Sequence, residues 1–154
     1  MYELLLTIHV LGAVIWVGGG TAMHILARRV LKRGDNQEIY KFSEEINKIG
    51  LRLYAPVSLI LLIAGILLVN QDQSAAEFSD LWVTLGFVGW IISFLVGIGY
   101  YGPQDKKLQK LVAEKGQNDP GILQNVRQAI FVNQIELLIL FLVVIDMTTK
   151  PGGA

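Results

Sequence analysis

The chain has 154 residues, a length that suits one domain, yet 53% of them are hydrophobic and the mean hydropathy is +0.49, both high for a protein that folds in water. Its 13 basic and 13 acidic residues cancel, so overall charge gives no electrostatic reason to expect a nucleic-acid partner. Cysteine is absent, which excludes disulfides, thiolate metal sites, iron–sulfur clusters and the usual covalent haem attachment, and leaves His, Met and carboxylate as the possible ligands.

Residues 4–27 contain no Lys, Arg, Asp or Glu, and at about 1.5 Å per residue a helix of that length outruns a hydrocarbon core of about 30 Å. Glu3 and no cation precede this run, and the run is long for a cleaved secretory signal, so it is expected to be retained as the first span. The connection that follows, residues 28–52, carries Arg28, Arg29, Lys32, Arg33, Lys41, Lys48 and Arg52. Within it Ile39, Phe42, Ile46 and Ile49 recur at helical spacing behind the caps Asp35 and Asn36, which predicts a short interfacial amphipathic helix. Residues 53–71 form the second span, with Pro56 in a first turn where its missing N–H is harmless.

A short acidic connection with Asp72, Glu77 and Asp80 leads to the third span, residues 81–104. Residues 103–127 then bring Lys106, Lys107, Lys110, Lys115 and Arg127. The fourth span, residues 128–149, tolerates Glu136 and Asp146 because the apolar density between them is high. The fold class expected is therefore all-α: an integral membrane four-helix bundle with a short cytoplasmic amphipathic helix, one transmembrane domain over residues 1–154. Lys and Arg concentrate in the first and third connections, which places those in the cytoplasm and both termini on the extracytoplasmic side.

On the first span, His9, Gly12, Ala13, Trp16, Gly20, Met23, His24 and Ala27 fall within about 60° of one direction at helical period. Such a face suits a flat cofactor, although its glycines are equally the means by which membrane helices pack tightly. His9, in hydrocarbon, is a candidate ligand or proton carrier. His24 is near enough to the basic connection to be satisfied at the interface. On the fourth span, Glu136 lies mid-membrane with Asn133 one turn before it, and a carboxyl there must be protonated, paired or wet. Its alternative role is a neutral packing group bonded to Asn133 or Ser93. Met147 and Lys150 continue roughly along that face at a depth near that of His9, Asp146 is expected at the interface, and Trp82, Tyr100 and Tyr101 read as interface anchors.

His9, Trp16 and Gly19 in HVLGAVIWVGG are spaced as in the first helix of the HemJ-type membrane protoporphyrinogen oxidases. Asn133 and Lys150-Pro151 are spaced as in the last helix of that family, with Arg127 preceding in a corresponding place. The chain also resembles CopD-like copper-resistance membrane domains and, more than either, a bacterial family of small predicted integral membrane proteins of unknown function. The resemblance implies a bacterial plasma membrane and haem b bound through His9. It does not extend to the lysine that protoporphyrinogen oxidation requires early in the third helix, where Gly86 stands, and the third span has no Lys, Arg or His at all.

These readings converge on a haem-b-binding electron-transfer protein. His9 is the axial ligand, Gly12, Trp16, Gly19 and Gly20 shape the pocket, and the sixth position is taken by Met147, a weak oxygen ligand or a second copy's His9, or stays open. Lys150 meets a propionate, Glu136 and Asn133 form the catalytic pair that tunes charge or takes protons, and a quinone, a tetrapyrrole or a membrane redox complex is the partner. His9 and His24 lie about 22 Å apart along the helix and cannot ligate two faces of one haem. Two other classes stand beside this one: proton or copper transport along His9, Glu136 and Asp146, and a noncatalytic subunit whose glycine faces serve membrane assembly.

Overall fold

The computed structural model describes residues 1–72 and 74–151, and among them every regular element is helical. Four helices follow one another, α1 (Tyr2–Arg33), α2 (Asn36–Val69), α3 (Leu81–Lys115) and α4 (Pro120–Thr149), each long and apolar enough to cross a membrane. Three π-helical turns, Val14–Gly18, Gly50–Tyr54 and Gly97–Tyr101, interrupt α1, α2 and α3. A π-turn takes in about one residue more than an α-turn, so side chains beyond it are rotated by about 100° from where an unbroken helix would put them.

Capping chemistry makes the two basic reversals very short. Gly34 takes φ +76° after α1, a left-handed conformation that a side chain disfavours, and Asp35 then accepts hydrogen bonds from Gln37 N at 2.8 Å and Glu38 N at 3.2 Å to start α2. Arg33 and Glu38 form a salt bridge across the same turn. Between α3 and α4, Asp119 accepts from Gly121 N at 2.8 Å while Pro120 occupies the first helical turn.

Reversals this tight leave most of the basic residues on helices, which changes two expectations. The amphipathic helix behind Asp35 is present, but Asn36–Ile49 is the head of α2 and runs on through the π-turn into the second span. Residues 103–127 are likewise mostly helical, because α3 continues to Lys115 and α4 begins at Pro120. The reason is a core that these extensions share. Ile39, Leu108, Ile122 and Val126 come together at the basic end, with Val30, Leu31 and Leu111 packed around them. At the acidic end α2 stops at Val69, short of the expected residue 71, where the Asn70 side-chain amide donates back to Ile66 O at 3.0 Å.

Across the spans the helices meet differently. Large apolar side chains such as Leu4, Ile63, Leu95 and Leu138 point outward, and the interhelical seams close on small residues. Gly12 of α1 packs on Leu61 of α2, Gly20 of α1 on Leu137 of α4, and Gly86 and Gly89 of α3 on Met147 and Val143 of α4. The Trp90 indole donates to Ser58 O at 3.0 Å and ties α3 to α2.

Candidate functional site

His9 is half-buried on α1 and faces α2. Its Nδ1 lies 2.9 Å from Leu61 O. A backbone carbonyl only accepts, so the ring proton belongs on Nδ1 and the lone pair on Nε2. Gly65 makes the approach possible, since a Cβ there would stand 3.1 Å from His9 Cε1. The ring is therefore held between a carbonyl and a bare backbone, with the tautomer fixed by the former.

A second polar group forms in the half of the membrane nearer the basic end. The Tyr101 hydroxyl of α3 donates to Glu136 Oε2 of α4 at 2.9 Å. Asn133 and Ser93 lie beside the same carboxyl, and the Ser93 hydroxyl is buried without closing a hydrogen bond. From α1, His24 Nδ1 sits 3.0 Å from Asn133 Oδ1, which orients the Asn133 amide with its oxygen toward the imidazole and its NH2 away from it. Three helices thus contribute to one cluster around Glu136.

Residues 3–151 match the model of a family described as predicted integral membrane protein (DUF2269). The chain belongs to that family. It is an integral membrane protein, and the lipid bilayer is the environment that its outward-facing Leu, Ile and Phe side chains require. The match spans all the candidate residues, from His9 to Lys150. No match was found among curated proteins or among solved structures.

Within this family member the residues expected on one cofactor-facing surface part company. His9, Gly12 and Gly19 face α2, where Leu61 fills the space at Gly12 and the Tyr54 hydroxyl stands 2.8 Å from where a Gly19 Cβ would be. Gly20 and His24 face α4. The π-turn Val14–Gly18, which contains Trp16, separates His9 and Gly12 from Gly20 and His24 and breaks the continuous α-period on which the single face was drawn. Met147 is directed at Gly86 and the Lys150 ammonium lies 5.2 Å from the centroid of the Trp82 ring, so both engage α3 while His9 engages α2. Asp146 has both carboxylate oxygens buried and unpaired among the described residues. Nor do three His, Asp or Glu side chains among those residues gather as a metal site.

Two contacts of this cluster go beyond the reading of the sequence. Tyr101 reads as an interface anchor, because an aromatic at a span end usually is one, yet it turns inward to Glu136 just where the π-turn Gly97–Tyr101 ends. Asn133 is as much the partner of His24 as of Glu136. The signal for the former was the Gly-rich stretch Gly97–Gly102 beside the tyrosines; nothing in the sequence marks the latter.

Proposed function

We propose that this chain is a haem-b-binding membrane redox protein with His9 Nε2 as axial ligand. The observation that carries the reading is the hydrogen bond from His9 Nδ1–H to Leu61 O at 2.9 Å. Ligating histidines donate their other ring N–H to a carbonyl or carboxylate, which fixes the tautomer and raises the basicity of the ligating nitrogen. His9 has that arrangement in place, and its spacing to Trp16 and Gly19 resembles the HemJ-type first helix, where the same position is implicated in haem binding.

The donor chemistry fits at His9 and not at the glycines. Gly12, Gly19 and Gly20 are covered by Leu61, Tyr54 and Leu137, so they hold helices together and do not form the wall of a porphyrin slot. Met147 and Lys150 serve the α3–α4 seam and Trp82. A second ligand to the haem would accordingly come from His9 of a second copy in a homodimer, or be absent. Bound haem would supply one-electron transfer, with a quinone, a tetrapyrrole or a membrane redox complex as partner. The distribution of Lys and Arg supports a plasma-membrane orientation with the basic connections in the cytoplasm, both termini outside and His9 in the outer third.

The test is a dithionite-reduced minus oxidised visible spectrum of the detergent-purified protein beside His9→Ala. A b-type Soret and α-band that vanish in the variant are expected. A wild-type protein that stays colourless after haem supplementation overturns the reading and leaves proton or copper transport, or a noncatalytic assembly role, in its place.

A further inference from the structure

The seam between α3 and α4 changes character along its length. In the half toward the acidic connection it is closed by interlocking apolar contacts: Met147 occupies the space a Gly86 Cβ would take, and Val143 does the same at Gly89. From Ser93 onward toward the basic end it carries a row of polar side chains, which runs alongside the apolar core of Leu108, Ile122 and Val126. Ser93, Tyr101 and Gln104 come from α3, and Glu136, Asn133 and Asn125 from α4. Tyr101 donates to Glu136 Oε2 at 2.9 Å, and Gln104 Nε2 donates to Asn125 O at 3.2 Å. Asn125 is 5% exposed and Ser93 3%, and each keeps a buried polar atom, Asn125 Nδ2 and Ser93 Oγ, without a partner among the described residues.

Buried hydrogen-bonding capacity left unspent is costly in hydrocarbon and ordinary beside water. Here two such atoms lie on the same seam, one in the region of Glu136 and one nearer the basic end. Beyond the Gly89–Val143 lock the polar side chains of α4 include Asp146, whose carboxylate oxygens are also buried and unpaired among the described residues, and Lys150 over Trp82, so the lock stands between them and Glu136. We infer that the α3–α4 seam is a proton half-channel: water and protons reach Glu136 from the basic face past Asn125, Gln104 and Tyr101, and the Gly86–Met147 and Gly89–Val143 contacts close the other side. His24 from α1 borders the path by holding Asn133, and it is the one imidazole facing the cluster among the described residues. In this arrangement Glu136 exchanges its proton with one aqueous phase only. The Glu136 carboxyl picks up one proton from water and returns it, with no other bond changing. The inference is independent of haem at His9, which lies on the α1–α2 seam.

The chain's lack of cysteine makes the test direct. Single variants Gln104→Cys, Asn125→Cys, Asn133→Cys, Val143→Cys and Met147→Cys, with Leu138→Cys as the lipid-facing control, are reconstituted in vesicles of both orientations. They are then exposed to a small membrane-impermeant thiol reagent, which reacts with the thiolate and hence needs water at the sulfur. Expected are rates at positions 104, 125 and 133 at least about tenfold above that at position 138, only when the reagent is on the side of the basic connections, and background rates at 143 and 147 from either side. Variants in the polar half that do not elute as folded protein are replaced by Ser93→Cys and Tyr101→Cys, which line the same seam. In parallel, a lipid-soluble carbodiimide should modify Glu136 in the wild-type protein and lose its target in Glu136→Gln. Background labelling throughout the polar half, or equal labelling at 143 and 147, overturns the half-channel whatever the visible spectrum shows.

Discussion

The terminal methyl of Met147 occupies the place where Gly86 would carry a Cβ, and one turn nearer the basic end Val143 stands in the same relation to Gly89. The two contacts look alike and differ in what can yield. Met147 is unbranched with three rotatable bonds, whereas Val143 is stiff at χ1. Gly86→Ala should therefore lose no more than about 1 kcal/mol, since the methionine can swing aside and alanine gains about 0.5–1 kcal/mol of helix propensity over glycine. Gly89→Ala should cost about 2 kcal/mol or more, within the range for overpacking a fitted seam. Thermal unfolding of both variants in one detergent measures the order; equal stabilities would mean that the seam is looser than its geometry.

The four spans were legible because hydrocarbon tolerates few formal charges, and runs such as residues 4–27 and 81–104 have none. The glycine positions foretold close packing in general. Which helix each glycine would meet was not legible, because an α-period projected across Val14–Gly18 carries Gly20 and His24 onto the face of His9, and the π-turn parts them. The length of the helices beyond the membrane was hidden for another reason. Residues 103–127 look polar in sequence, and the apolar positions that make them a core, Leu108, Ile122 and Val126, matter only once they meet Ile39 from a distant segment.

At Gly65 a prediction concerns the His9 ring alone. A methyl added there would stand 3.1 Å from Cε1 and 3.3 Å from Nδ1, on a ring already held by Leu61 O. The imidazole must tilt, and its hydrogen bond lengthens. Nitrogen NMR of selectively labelled protein in nanodiscs should show the single Nδ1–H tautomer in the wild type and a mixture in Gly65→Ala. Identical spectra for the two proteins would mean that the carbonyl does not fix the tautomer, which would remove the main support for His9 as a prepared ligand.

The Tyr101–Glu136 contact predicts a measurable coupling. Interhelical hydrogen bonds in membranes are worth about 0.6 kcal/mol on average and at most about 1.7, because the separated helices find other partners. Tyr101→Phe should cost an amount in that range, and Glu136→Gln less, since a glutamine oxygen still accepts from the hydroxyl. In a double-mutant cycle with Tyr101→Phe and Glu136→Leu, the loss in the double variant should fall short of the sum of the single losses. Strict additivity would show that the hydroxyl and the carboxyl do not interact in the folded bundle.

Stability should be concentrated outside the spans. Ile39 and Ile122 are 1% and 0% exposed, the most completely enclosed large side chains among the described residues, and both belong to the core at the basic end. Truncating either to alanine removes apolar contacts in a region where water is the alternative solvent, so the full hydrophobic and cavity cost of about 2–5 kcal/mol applies. Leu138, by contrast, is 61% exposed on the outer face of α4 in the middle of the fourth span. Lipid replaces whatever that side chain gives up, and Leu138→Ala should change stability by no more than about 0.5 kcal/mol. Chemical unfolding in detergent of the three variants separates the two solvents directly. If Leu138→Ala proved as damaging as Ile122→Ala, the outer face of α4 would have to be a protein interface and not a lipid-facing surface.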